Sequence, residues 1–369
     1  MRERERERES KNQGVLVPLD TSWFDEEPER YLAQDDFIEF QKIAGVDFRG
    51  LLSEDKNVVG TTQKNLVDQS IILNEIQKSH FGYEFPFIIY THSLNFFENV
   101  KNHNLDMDRI ILGRDMGDSL RRRHISLSHA IIPSVIRELN NSFGRPVVAK
   151  NLGSGVGLDV INAASKQNGM VKEVLNYDTN QDAVSLGQLI TTHLEDKGEL
   201  DSGKVKFILQ SLMKSKERVD LIIKIGVICG LQDNVALSLI KQDFNQLSEG
   251  GKLIISSSNE CMKAEDPLGS FLIQHMGSRK DPFEGWGLNC RSKLAIITLL
   301  EDAGFKNIEI YSDTRYPGKE DLPDEIILGV DTLPAEAVGY NHPGIPLNLP
   351  PKHILDQETA YNWIAVAAK

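Results

Sequence analysis

The 369-residue chain is 40% hydrophobic and 26% charged, which is enough to bury one full core and a second, smaller one. Its net charge of −13 excludes a general nucleic-acid binder, because phosphate contacts need a clustered positive surface. Three cysteines, Cys229, Cys261 and Cys290, form no CxxC pair; this fits a reducing compartment and gives no framework for structural zinc.

The chain opens on MRERERERES, in which four arginines and four glutamates alternate and cancel. Residues 1–12 are expected to be a charged, disordered tail. They lack the apolar h-region of a signal peptide, and no apolar run approaches the ~20 residues of a membrane helix. The expectation is a soluble, cytoplasmic protein with no membrane and no nucleic-acid partner.

Residues 13–145 read as a helical cap or substrate region. Tyr31, Leu32, Phe37, Ile38 and Ile43 fall roughly on one helical face. Leu66, Val67, Ile71, Leu73 and Ile76 form a second amphipathic run, with Thr61 and Thr62 as its candidate N-caps. FPFIIY at 85–90 fits a strand or a helix. A long helix is expected over 118–141, kinked by Pro133 and followed by Gly144. Within it, Arg121, Arg122 and Arg123 read first as a solvated face.

At Val147 the grammar changes to alternating strand and helix over 146–369. Strands are expected at 147–151, 171–178, 205–210, 219–225, 252–256 and 307–311, with the terminal NWIAVAAK as a seventh. Helices are expected after the first glycine turn and at 182–195, 234–247 and 292–303. Such alternation with short loops predicts an α/β fold with a doubly wound, mainly parallel seven-stranded sheet. Two insertions, 257–291 and 313–361, interrupt the rhythm; their large apolar and aromatic residues suggest ordered lids.

The first strand runs into NLGSGVG, with glycines at 153, 155 and 157. A strand, a glycine turn and a helix make a socket for a nucleotide-like ligand, since the turn needs backbone angles that side chains forbid. A P-loop is excluded because no Gly-Lys precedes Ser or Thr. A dinucleotide turn is also excluded: the third small position would fall on Leu158 or Val160, too large for close helix–strand contact.

NLGSGVG, NYDTNQDAV, VDLIIKIGVICGL, LSEGGKLII and LLEDAGFKNIEI occur in that order over about residues 145–312. With the C-terminal strand they resemble the class I S-adenosylmethionine-dependent methyltransferases, which carry a Rossmann-like sheet. The remaining segments are similar to methyltransferases that include fatty-acid-derived signal-ester synthases. The resemblance implies S-adenosyl-L-methionine as cofactor. It places Gly153, Ser154, Gly155 and Gly157 under the cofactor, Asp178 on the ribose hydroxyls, and Asn151, Thr179, Gln210, Ser211 and Ile225 around it. Asn151 stands where an aspartate is common, and Gln210 and Ser211 where an acidic residue often meets the adenine. Ile225–Gly226–Val227 replaces the Asn/Asp-Pro-Pro of amine-modifying relatives, which argues against base methylation.

Methyl transfer from a sulfonium is an in-line displacement, so alignment and exclusion of water carry much of the catalysis. A hydroxyl nucleophile also needs a base, whereas a carboxylate does not. His124, His129, His275 and Glu260 are the candidate bases, with His275 and His124 preferred as catalytic residues. Arg121 or Arg123 is placed to grip a substrate carboxylate bidentately, although pairing with surface acids is the plainer role. Trp286 and Phe283 are candidate pocket walls. No cluster has metal-ligand spacing, so no metal is expected. The reading is O-methylation of a hydroxyl or carboxylate on a small, lipid-like molecule, with a homodimer through the cap as an open expectation. Its alternatives are N- or C-methylation of a small metabolite, and an inactive cofactor-binding partner protein.

Overall fold

The computed structural model describes residues 28–79, 82–91, 100–167, 169–259, 266–277, 289–319 and 361–369. The charged start, Glu260, Cys261, Phe283, Trp286 and most of the second insertion lie outside these residues.

Helices α1 (Pro28–Leu32), α2 (Asp35–Ala44), α3 (Lys56–Val67), α4 (Ile71–Ser79), α5 (Glu84–Thr91) and α6 (Leu105–Leu112) build the first part of the chain. The run expected from Leu66 to Ile76 is split between α3 and α4. Asp55 caps α3 by accepting from the Asn57 N–H at 2.8 Å, so Thr61 and Thr62 lie inside the helix and donate to the carbonyls of Asn57 and Val58. The break before α4 is held by buried Asp108, which accepts from Ser70 Oγ at 2.5 Å and from the Ile71 and Ile72 N–H groups at 3.2 Å. Ile38 is half exposed; the apolar face of α2 runs through Phe37, Phe40 and Ala44 instead. FPFIIY is helical, as α5.

The long helix begins earlier than expected, as α7 (Asp115–Ile125), passes through a π-helical segment (Ser126–Ile131) and continues as α8 (Ile132–Phe143). Proline inside an α-helix meets the carbonyl four residues back and lacks its own N–H. Here the register widens just before Pro133, and Ser126 and Ser128 donate their hydroxyls to the Arg123 and His124 carbonyls at 2.8 and 2.7 Å.

The sheet follows: β1 (Val147–Leu152), α9 (Leu158–Ser165), β2 (Val171–Asp178), α10 (Gln181–Asp196), β3 (Val205–Leu209), β4 (Val219–Lys224), α11 (Asp233–Gln246), β5 (Leu247–Ser258), α12 (Pro267–Gly277), α13 (Lys293–Asp302), β6 (Lys306–Ser312) and β7 (Asn362–Ala368). The seven strands lie in the order β3-β2-β1-β4-β5-β7-β6, parallel except for β7, which runs antiparallel to both β5 and β6. Thus the doubly wound sheet is present, with strand ends within a few residues of those expected. The largest difference is β5, which starts before the Gly250–Gly251 pair rather than after it. Gly250 takes φ +75°, and a Cβ on Gly251 would come within 2.9 Å of the Asp220 carbonyl, so the strand bulges there without stopping.

Side chains alternate across the central strands. Leu221, Ile223 and Ile254 join one apolar cluster that also holds Phe37, Ile88 and Ile161, so the first helices share a core with that face. Ile222, Leu253 and Ile255 join the other, against Ile240 and Leu300 of α11 and α13. The strand order reverses between β1 and β4, and the crevice above their C-terminal ends is where open α/β sheets hold ligands.

Candidate functional site

A cavity of about 550 Å³ occupies that crevice. Its floor is the turn after β1. Gly153, Gly155 and Gly157 take φ of +68°, +52° and +74°, values that glycine alone reaches without strain. Space forbids side chains there as well. A Cβ on Gly153 would meet Val227 Cγ2 at 2.7 Å, and one on Gly157 would meet Asn176 Oδ1 at 3.0 Å.

The turn is tied to the next strand. The Tyr177 carbonyl accepts from Gly153 and Ser154 at 2.9 and 3.0 Å. Asp178, the last residue of β2, accepts the Gly155 N–H on Oδ2 at 2.7 Å and the Asn180 N–H on Oδ1 at 2.9 Å. Each oxygen keeps a second lone pair for a ligand hydroxyl.

Above the turn, α5 and the residues before it supply Tyr83, Pro86, Phe87 and Tyr90. Tyr83 lies over Gly155, with its Cβ 3.2 Å from where a glycine Cβ would stand. Beyond β4, Ile225, Gly226 and Val227 form the far wall. Tyr90 stacks on the His124 ring, centroids 4.5 Å apart, and burial pushes its phenol up to about 12.

The arginine run is not a solvated face, because Arg121, Arg122 and Arg123 are all buried, as is most of α7. Arg121 donates to the Leu112 carbonyl at 2.8 Å and pairs with Asp118; burial holds its pKa below the ordinary guanidinium value. Arg122 faces Asp313 at 3.4 Å. Arg123 alone of the three reaches the cavity, donating to Tyr90 Oη at 2.9 Å and Asn362 Oδ1 at 3.2 Å. Sequence offered no view of Asp313 or Asn362, which lie 191 and 239 residues away from their arginines.

Of the residues singled out in the sequence, Gly153, Ser154, Gly155, Gly157, Asp178, Thr179, Ile225 and Arg123 line the cavity. Asn151 lies beneath it, donating to Asn176 Oδ1 at 3.0 Å. Neither Gln210 nor Ser211 lines it: the Gln210 N–H donates to the Asp178 carbonyl at 2.8 Å, and Ser211 Oγ caps the short turn by accepting from the Met213 N–H. His124 is behind the wall: its Nδ1 lies 2.5 Å from Asp159 Oδ1, and Asp159 does line the cavity. His275 is on α12, tilted on Phe271 at 4.3 Å, with its carbonyl accepting from Gln63 at 2.7 Å. Burial lowers its pKa to about 4. Trp286 lies outside the described residues.

Asp159 and the Tyr83–Tyr90 roof were not singled out in the sequence. Asp159 follows the last turn glycine by two positions, a signal that was present; the roof was hidden in the ambiguous FPFIIY. Among the described residues, no group of three or more His, Cys, Asp and Glu is placed to hold a metal ion, and no helix is long and apolar enough to cross a membrane.

No family model matches the sequence, and no curated protein matches it. Among solved structures, a "possible exported protein" from Bordetella parapertussis aligns over 90% of this chain and 95% of its own, with 15% identity and a TM-score of 0.49. Human N-acetylserotonin methyltransferase, solved in complex with SAM, aligns over 70% of this chain and 58% of its own, with 12% identity and a TM-score of 0.38. Magnesium protoporphyrin IX methyltransferase from Synechocystis, with bound SAH, aligns over 68% and 85%, with 15% identity and a TM-score of 0.40. These are likenesses at low identity, and the chemistry of the cavity is carried by its own residues.

Proposed function

We propose that this protein is an S-adenosylmethionine-dependent methyltransferase that transfers a methyl group to oxygen on a small molecule. The observation that carries the reading is the glycine turn at the sheet's switch point, locked by Gly155 onto Asp178 beneath a roofed cavity. The fit to the cofactor is physical. Positive-φ glycines bring bare backbone to the cavity floor, and Asp178 offers free lone pairs where a ribose diol would lie. Cavities of roughly 300–1,000 Å³ are those that take ligands of this size.

When bound, S-adenosylmethionine supplies a methyl group already activated on sulfur. The chain's own residues then have to orient and desolvate. Tyr83, Phe87 and Tyr90 cover the turn, while Ile225 and Val227 close the opposite wall, so apolar groups flank a cavity whose lining also carries Arg123, Asp159 and Asp178. Asn151, Gln210 and Ser211 act from one layer out, through the Asn176 pair and the backbone around Asp178.

An acid acceptor needs no base. For a hydroxyl acceptor, Asp159 is the cavity-lining carboxylate able to take the proton, and His124 holds it from behind as a positioning residue. His275 is assigned no part in this chemistry, since it packs on Phe271 and Gln63.

Calorimetric titration with S-adenosylmethionine, S-adenosylhomocysteine and NAD tests the reading. Binding of the two sulfur compounds, absent for NAD and lost in Asp178→Ala, is the expected result. A folded protein that binds neither sulfur compound would end it.

A further inference from the structure

We infer that Arg123 is the carboxylate receptor of this cavity: a guanidinium built into the wall and left for a ligand's acid group to neutralise. The cofactor arm of the argument rests on the methyltransferase reading; the geometry of Arg123 does not.

Three consecutive arginines enter the interior on α7, and the first two meet protein carboxylates, Asp118 for Arg121 and Asp313 for Arg122. Arg123 is just as buried, at 6% exposure, yet it is held by neutral oxygens, the Tyr90 phenol and the Asn362 amide. Its Nε finds no partner among the described residues, as is also true of Arg122 Nε and Nη1, so the distinction lies in the missing carboxylate. A buried cation bound only by neutral groups carries a large desolvation cost that an anion would offset. Asp159 lines the same cavity and its charge helps to hold Arg123 cationic, but it stands outside ion-pair reach, with its Oδ1 on His124 at 2.5 Å.

The surroundings orient Arg123 and leave it accessible. Asn362 donates its Nδ2 to Ser119 Oγ at 2.5 Å, which turns the amide oxygen toward Arg123 Nη1. On the other side stands Gly226, at φ +70°, where even a Cβ would lie 4.0 Å from both Nη1 and Nη2. Arg123 and Gly226 both line the cavity, and position 226 carries no side chain to cover the terminal nitrogens. Two terminal nitrogens, each with one hydrogen committed and one spare, match the two oxygens of a carboxylate. A guanidinium in this role withdraws charge from the acid it holds, so Arg123 anchors its ligand and does not activate it.

The carboxylate has two sources in this setting, the amino-acid end of the cofactor and an acid group on the acceptor. Titrations of full-length wild type, Arg123→Gln and Asn362→Asp separate them. Asn362→Asp keeps the shape of the side chain but places a carboxylate 3.2 Å from Nη1, which neutralises the cation in place. S-adenosylhomocysteine is compared with 5′-methylthioadenosine, which has the same purine, ribose and thioether but no acid. Octanoate, an acid on an apolar chain, is then titrated into protein saturated with S-adenosylhomocysteine.

If the cofactor supplies the acid, S-adenosylhomocysteine weakens about tenfold or more in both variants while 5′-methylthioadenosine is unchanged. If the acceptor supplies it, both sulfur compounds bind as in wild type and octanoate binding is lost in both variants. Equal weakening of the two sulfur compounds, or unchanged binding of every acid, overturns the proposal. Should wild type bind neither sulfur compound, the methyltransferase reading falls. Octanoate on the unsaturated protein then decides for or against Arg123 by itself.

Discussion

Asp178 and Gly155, 23 residues apart, are joined by a 2.7 Å hydrogen bond from the glycine N–H to the carboxylate. One side chain therefore fixes the shape of the turn and also faces the cavity. Asp178→Ala should weaken S-adenosylhomocysteine by roughly 30-fold or more and lower stability by about 1–2 kcal/mol. Asp178→Asn keeps an acceptor for Gly155 but loses the charge, so stability should recover further than affinity. Paired calorimetry and urea denaturation would show this. Equal recovery of both would mean that Asp178 acts only on the fold.

Gly187 and Gly157 both press on Phe207 of β3. A Cβ on Gly187 would sit 2.3 Å from two ring carbons and 2.9 Å from the Val156 carbonyl. In an ordinary helix, glycine to alanine gains up to about 1 kcal/mol. On α10, Gly187→Ala should instead cost roughly 1–3 kcal/mol, because overpacking displaces the ring and the glycine turn beside it. Phe207→Leu removes part of the clash, so a double-mutant cycle by chemical denaturation should give a coupling of about 1 kcal/mol or more. Additive effects would refute the contact.

His275 makes stability depend on acid. Its pKa falls from 6.5 in the unfolded chain to about 4 in the folded one through burial. Between those values the unfolded chain binds a proton that the folded chain does not. The stabilisation is therefore complete above pH 6.5 and is lost as pH falls to 4, by up to roughly 3 kcal/mol. His129, lowered to about 3 by burial and by Lys166, adds a loss of the same sign. Denaturation midpoints measured near neutrality and near pH 4 should converge in His275→Gln relative to wild type. An unchanged slope would place the acid sensitivity elsewhere.

The sheet was legible because its signals are local. Apolar runs such as VDLIIK, closed by glycines, report strands whose two faces are both buried, and the turn at 153–157 reports its own backbone angles. Partners set by tertiary approach were not legible. Nothing around Arg123 names Asn362, and nothing in FPFIIY says that Tyr90 will stack on His124. The arginine run reads as a charged surface because two of its partners, Asp313 for Arg122 and Asn362 for Arg123, come from the segment just after β6 and from β7. Asn151 stands just before the glycine turn, and the motif does not name Asn176, to which its Nδ2 donates.

Helix α12 of the first insertion is clasped to the start of α7 through Asp266 and to α3 through the Gln63–His275 carbonyl bond. Asp266, fully buried, accepts from Arg114 Nε at 2.8 Å, the Met116 N–H at 3.2 Å and the Gly269 N–H at 2.9 Å. Beside it, Phe271 stacks on Phe48 at 5.1 Å and meets Phe37 edge-on at 5.5 Å. Asp266→Asn removes the charge facing Arg114, which among the described residues then keeps Asp36, at 3.1 Å, to offset it. Breaking a fully buried pair costs about 3–5 kcal/mol, and the remaining partner should hold the loss nearer 1–3. That loss should be local, because the clasp touches α12 and the start of α7 but no strand of the sheet. Amide exchange should speed by about tenfold or more across 267–277, while the amides of β1, β4 and β5 keep their rates. If the sheet amides speed up equally, α12 unfolds only with the whole molecule. Helix α12 would then be a fixed part of the fold and could not move as a lid.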